Sequence, residues 1–382
     1  MGWRCGSFKM GRSVTDQLLA TETQRTQRGF LSFVSVLSVS LWLLLPVLSV
    51  GCLPDLAERT VKAPNLQQEK WRSHTLYPDV LETMKDAYTL RVPVGPPPAE
   101  LQVWISDVKP AGDRTFDIQI IGPSQRVFFK TMPSTQPAAQ PASQPASPEG
   151  TIFLLHGISD RQELDPYVLY KELLRTRYRV VQVDLRGHGR STGQWISYGV
   201  FESRDLVQVL DELQKQNLIA GEVGVMGFSY GAAVAIQWAA IDPRVKTVVA
   251  VEPYATFEDV AVDASWIFLG PFRHLLSDQW FKDQLTRAGK MAGFDPAQAS
   301  PLAAIQKTDT PILLIHSRSD ELTPFRHSQR LHDADPDHSR LLALDGQSHF
   351  SIWATALKPI MSASAAWFKE YLHSSETLTT GG

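Results

Sequence analysis

Between Gly150 and Leu372, short unbroken apolar runs alternate with longer amphipathic stretches. The runs are Thr151–Leu155, Arg179–Val183, Glu222–Met226, Val245–Val251, Pro311–Ile315 and Arg340–Leu344. A half-exposed strand would alternate apolar with polar, whereas a strand covered by helices on both faces reads as a continuous apolar run. Helical periodicity occupies intervals between them, at Tyr167–Thr176, Phe201–Gln216, Tyr230–Ala240 and Pro359–Leu372. Pro359 suits a first helical turn, where its missing N–H costs nothing. The alternation predicts an α/β fold with a mostly parallel central sheet flanked by helices.

Upstream, β-branched runs at Leu101–Val108, Thr115–Ile121 and Arg126–Lys130 predict short antiparallel strands. The tract 131–149, rich in Pro, Ala, Ser and Gln, cannot bury a core and predicts a flexible insert. Residues 53–90 read as a tether, and 91–375 as the folded domain. One crossover is longer than the rest. Its aromatic residues Trp266, Phe268, Phe272, Trp280, Phe281 and Phe294 suit a helical cap over residues 254–310, with plain packing of a long connection as the alternative. Such a cap would stand at the carboxyl ends of the strands, where open α/β sheets bind ligands.

The N-terminal 52 residues carry a targeting pattern. Arg25 and Arg28 precede the uncharged run Phe30–Val50, long enough for an uncleaved anchor as well as for a signal peptide. Either predicts an extracytoplasmic domain, exported or membrane-attached. The stretch Leu48-Ser49-Val50-Gly51-Cys52 is similar to a lipoprotein signal, which makes Cys52 a candidate lipidation site, although Ser49 stands where a branched aliphatic residue is usual.

Composition narrows the chemistry. The chain has 382 residues and a net charge of -3, so nothing points to nucleic acid as a partner. Its two cysteines, Cys5 and Cys52, both precede the domain. A disulfide framework, a cysteine nucleophile and a zinc–thiolate site are therefore excluded from it.

A serine emerges instead. Gly227-Phe228-Ser229-Tyr230-Gly231 follows the strand-like EVGVM and precedes the helical AAVAIQWAA. A sharp strand-to-helix turn exposes such a serine, and the helix amino terminus favours negative charge beside it. A serine hydroxyl needs a base, and the base an orienting acid. Asp320 and His349 follow two later strands in the chain order Ser, Asp, His, which places all three at one sheet edge. Glu252, at the end of the preceding strand, is the rival acid. His156 and His188 read as loop structure, His316 as packing at a strand end, and His327, His332 and His338 as solvated. The backbone N–H groups of Tyr230 and Ile158 are the candidate oxyanion donors. A neutral histidine base predicts kcat/KM rising through about pH 6–7.

Taken in order, His156-Gly157, DLRGHGRS (Asp184–Ser191), GFSYG, HSRSDELTP and GQSHF make residues 150–372 resemble the α/β-hydrolase superfamily, in particular its esterases, thioesterase-like enzymes and serine aminopeptidase-like hydrolases. The resemblance implies hydrolysis of an ester or thioester in a small-molecule acyl substrate, without a cofactor. Peptide or amide cleavage, acyl transfer to an alcohol, and a binding protein that kept the fold stay open as alternatives. The chain departs from the pattern in its Pro-rich insert and in the acidic loop after Gly157, which lacks a further glycine.

Overall fold

The computed structural model describes residues 55–67, 84–109, 114–121, 126–133, 147–158, 160–162 and 165–373. The chain divides into two units, residues 1–55 and 56–382, and the second carries the fold below. The targeting pattern, Cys52 and most of the Pro-rich insert lie outside the described residues. Among the described residues, no helix is long and apolar enough to cross a membrane.

Eight strands form one sheet in the order β1-β2-β6-β5-β7-β8-β9-β10. They are β1 (Tyr88–Val94), β2 (Ala99–Ser106), β5 (Thr151–Leu155), β6 (Arg179–Val183), β7 (Val223–Phe228), β8 (Val245–Val251), β9 (Ile312–Ser317) and β10 (Ser339–Leu344). β1 and β2 run antiparallel, and β2 joins β6 antiparallel. From β6 to β10 every pairing is parallel. β5 and β7 are buried along their whole length, as their unbroken apolar runs require. β3 (Arg114–Ile121) and β4 (Arg126–Pro133) pair with each other in a separate two-stranded sheet. β4 extends to Pro133, so the first three residues of the expected insert belong to a strand.

Helices fill the intervals: α3 (Asp165–Leu174), α4 (Glu202–Lys215), α5 (Tyr230–Ala239), α9 (Arg326–Ala334), α10 (Ile352–Thr355) and α11 (Leu357–Tyr371). Pro359 falls in the first turn of α11. Two apolar clusters hold the layers together. One joins Phe153, Val225, Trp238 and Val248, and the other Leu154, Met226, Ile315 and Phe368. Neighbouring residues of a strand thus feed opposite clusters, the two-residue period of a sheet packed on both sides.

The segment expected as a cap is helical. It comprises α6 (Phe257–Leu269), a 3-10 turn (Gly270–Leu275), α7 (Asp278–Ala292), a second 3-10 turn (Pro296–Gln298) and α8 (Pro301–Ile305). Thr256 and Ser277 cap α6 and α7 through their hydroxyls. Its aromatics split: Phe281 and Phe294 are buried, while Trp266, Phe268, Phe272 and Trp280 are exposed.

The expected tether of 53–90 needs correction. Residues Leu56–Val61 form α1 and Pro64–Gln67 form α2, and Ala57 and Val61 are wholly buried in the first core cluster. Backbone bonds from Ala63 to Gln194 (2.9 Å) and from Ile196 to Val61 (2.8 Å) sew this segment to the loop before α4. The Tyr198 hydroxyl adds a bond to the Thr60 carbonyl at 2.8 Å. Polar composition hid the segment, because only small or isolated apolar residues make the contact. β1, too, begins inside the expected tether.

Candidate active site

β7 ends at Phe228 and α5 begins at Tyr230, so the turn between them is the single residue Ser229. Its φ of 50° is unusual for a side-chain-bearing residue. The strain is held by a 2.7 Å hydrogen bond from Ser229 N–H to the Val251 carbonyl on β8. Two glycines make the turn possible. A Cβ on Gly227 would lie 2.4 Å from the Gly231 carbonyl oxygen, and one on Gly231 would lie 2.5 Å from that of His156.

His349 follows β10, in the loop before α10. Its Nε2 stands 3.0 Å from Ser229 Oγ, and its Nδ1 stands 2.7 Å from Asp320 Oδ2. Asp320, three residues beyond β9, has a fully buried side chain. Its Oδ1 accepts N–H bonds from Leu322 and Thr323, both at 2.8 Å, and its Oδ2 accepts the Thr323 hydroxyl at 2.7 Å. Nε2 of His316 lies 3.2 Å from the same Oδ2. Burial alone would raise the Asp320 carboxyl, but His316 and His349 beside it outweigh that and hold it well below the usual carboxylate range. Asp320 is therefore an anion aimed at the outer nitrogen of His349.

Glu252 also reaches that nitrogen. Its Oε2 lies 3.2 Å from His349 Nδ1, and its backbone repeats the strain of Ser229, with a φ of 52°. Burial, and then the neighbouring charge of Asp320, push its carboxyl up to about 10. Glu252 is thus neutral while Asp320 is charged. The sequence weighed these two acids against each other; the structure puts both on one imidazole, with Asp320 nearer. Ligand atoms of Glu252, Asp320 and His349 all lie within 4.8 Å of one another, as a metal site could require. Hydrogen bonds within the site already engage the Asp320 oxygens and Nδ1 of His349.

Ile158 sits in the turn after β5 with its side chain exposed, whereas the Tyr230 side chain is buried. Neither N–H meets a hydrogen-bond partner among the described residues. An oxyanion donor has to be free in this way. Behind Ile158, Gly157 N–H donates to the Tyr167 hydroxyl at 2.8 Å, and that hydroxyl donates to Asp160 at 2.6 Å. This chain of bonds fixes the loop that the sequence marked as atypical.

Other histidines are structural. His156 accepts the Leu185 N–H at 2.9 Å, and the ring of His188 lies 4.8 Å from it. Burial pushes His188 down to about 4, so it stays uncharged. His316 does more than pack at a strand end, since it supports Asp320. His327, expected in solvent, is wholly buried: it accepts the Ala255 N–H at 3.1 Å and bonds Asp263 on α6 at 2.8 Å. His332 and His338 are half-buried, bonded to Ser339 and Asp335. His316 and Thr323 lie four residues before and three after Asp320, so their contacts with it are local, whereas His327 bonds Ala255 and Asp263, both remote in sequence.

A hydroxyl, an imidazole and a buried carboxylate in relay can pass a proton from oxygen to nitrogen and stabilise the resulting cation. The family model of the X-Pro dipeptidyl-peptidase (S15 family) matches residues 126–350, more than half of the chain. The chain belongs to the S15 family. It is a serine hydrolase with the α/β-hydrolase fold. This S15 member is similar to the uncharacterized protein YqkD of Bacillus subtilis (strain 168), 29% identical over 202 residues. That match covers 52% of this chain and 64% of YqkD, a little under two-thirds of the relative. It is also similar to the AB hydrolase superfamily protein YisY of the same organism, 27% identical, over 47% of this chain and 78% of YisY. Among solved structures, the Pyrococcus furiosus esterase Pf2001 superposes with a TM-score of 0.52 at 18% identity, over 75% of this chain and 92% of that one. At that identity the likeness concerns the fold.

Proposed function

We propose that Ser229 is the nucleophile, His349 its general base and Asp320 the acid that orients His349, in a two-step hydrolysis of a carboxylic ester or thioester. The observation that carries this reading is the unbroken relay of 3.0 Å and 2.7 Å from Ser229 Oγ to the buried Asp320 carboxylate. His349 takes the Ser229 proton as the oxygen attacks the carbonyl, and then gives it to the leaving alcohol. Tyr230 and Ile158 N–H stabilise the oxyanion. Water, deprotonated by His349, releases the acid and restores Ser229. An alkoxide needs less help to leave than an amide nitrogen. The exposed apolar side chains of Ile158, in the donor loop itself, and of Phe350, next in sequence to the base, favour an apolar substrate group.

A fluorophosphonate probe and a series of simple esters of increasing acyl length test the proposal. Ser229→Ala should stay folded, lose labelling and lose ester turnover; labelling that persists refutes the Ser229 assignment. Family membership favours a second reading, release of a dipeptide from a peptide amino terminus. Matched ester and X-Pro amide substrates separate the two. A higher kcat/KM on the amide would replace the ester reading.

The apolar run Phe30–Val50 and its preceding arginines support an extracytoplasmic, membrane-attached enzyme. Fractionation of cells expressing the full chain tests that placement; recovery with cytoplasmic proteins would refute it.

A further inference from the structure

Among the described residues, Glu252 is an ionisable group in contact with His349 that the proposed steps leave unused. It directly follows β8, which pairs with β7, the strand that precedes Ser229, and it is 2% exposed. Its Oε2 meets the same Nδ1 that donates to Asp320, at 3.2 Å against 2.7 Å. Its Oε1 is buried with no hydrogen-bond partner among the described residues. A buried carboxylate with an orphaned oxygen beside another anion is strongly disfavoured, so one proton belongs to the pair. Asp320 has five donors around it, from Leu322, Thr323 (two), His349 and His316, and Glu252 has few, which puts that proton on Glu252. The charged or titratable groups facing Glu252 are Asp320, His349, Tyr170 and Glu321, with His316 beyond Asp320.

We propose that Glu252 is a second positioning acid for His349, silent while Asp320 is charged and able to take over the imidazole when Asp320 is neutralised or removed. This rests on the assignment of Ser229 and His349 as nucleophile and base. In Asp320→Asn the neighbouring anion is gone, and the asparagine oxygen still accepts the Leu322 and Thr323 N–H groups. Glu252 then releases its proton to solvent and accepts the His349 Nδ1–H itself. No bond other than that O–H breaks. The imidazole keeps the tautomer that leaves Nε2 free to take the Ser229 proton.

The test is a double-mutant cycle of D320N and E252Q on one activated ester, with a full pH profile for each protein. Neutralising a sole triad acid costs about 10⁴-fold in kcat. With Glu252 in reserve, D320N should lose only about 10- to 100-fold, and D320N/E252Q should fall to the full loss of about 10⁴. E252Q in the unaltered background should cost far less than it does in D320N. The pH at which activity appears should be kept in D320N and move about 1–3 units lower in the double variant, where no carboxylate remains. A merely space-filling Glu252 would not move that limb. Near-UV circular dichroism checks the fold, and D320S replaces D320N if the asparagine variant does not fold. Equal activity and equal profiles for D320N and D320N/E252Q overturn the inference, and so does an E252Q loss as large as that of D320N. If the unaltered protein is not labelled at Ser229 by the fluorophosphonate, the underlying assignment fails and the inference with it. Labelling with a flat cycle sinks the inference alone.

Discussion

Gly231→Ala should damage the reaction more than it damages the fold. A Cβ at Gly231 would stand 2.5 Å from the His156 carbonyl oxygen and 2.7 Å from that of Leu155. Carbon–oxygen contacts settle at about 3.3 Å or more, so α5 must move away from the end of β5 by about 0.8 Å. Both obstacles are backbone atoms and cannot rotate aside. Overpacking of this kind costs about 1–3 kcal/mol. The same gap separates the two N–H groups proposed to hold the oxyanion, Tyr230 on α5 and Ile158 just past β5. Losing one such donor costs about 10²–10³ in kcat, and a misplacement near 1 Å costs a similar 10². We expect kcat on a simple ester to fall by about 30- to 300-fold with KM changed little, and the urea midpoint to drop modestly. Slow but complete fluorophosphonate labelling should persist, since Ser229 and His349 remain. Full turnover in a variant whose midpoint has fallen would refute the placement of the donors.

Three further outcomes follow from buried groups. A Glu252 carboxyl raised when folded makes stability largest below the ordinary carboxylate range, near pH 4, and erodes it as pH rises toward 10. E252Q removes that erosion, so its stability relative to the unaltered protein should climb between pH 5 and pH 9 in urea titrations; a constant difference would show that Glu252 does not retain its proton. Arg186 and Asp205 form a bidentate pair, with both contacts at 2.8 Å and both side chains buried. Arg186→Ala should cost about 3–5 kcal/mol by stranding Asp205, read as a large loss of Tm; a loss below 1 kcal/mol would mean that the pair is hydrated. Val61→Ala should cost about 1–3 kcal/mol if α1 is part of the core, whereas a tether would show no change in the denaturation midpoint.

The parallel strands were legible because burial on both faces leaves continuous apolar runs, and their observed limits lie within a few residues of those runs. Ser229, Asp320 and His349 were legible for a related reason. Each follows a recognisable strand, and parallel strands deliver their carboxyl ends to one edge. What sequence could not show is how the edge is furnished. Asp320 is held charged against its burial by His316 and His349, and it also accepts the backbone N–H groups of Leu322 and Thr323, which carry no residue signature. Glu252 was visible as an alternative acid, but not as a protonated neighbour of Asp320, since its raised carboxyl comes first from burial and then from a charge 68 positions away in the chain. α1 escaped for the opposite reason. Ala57 and Val61 bury little area each, so no periodic pattern announces them.

Ser229 and Glu252 share a left-handed backbone, and each is pinned by the next strand: Ser229 N–H to Val251 on β8, and Glu252 N–H to Ile315 on β9. The proposed nucleophile is therefore held by β8, and the residue that follows β8 is held in turn by β9. Sequence drift in Ile312–Ser317 would register first as slower acylation with unaltered substrate affinity. An engineer seeking a faster variant would do well to leave β9 alone.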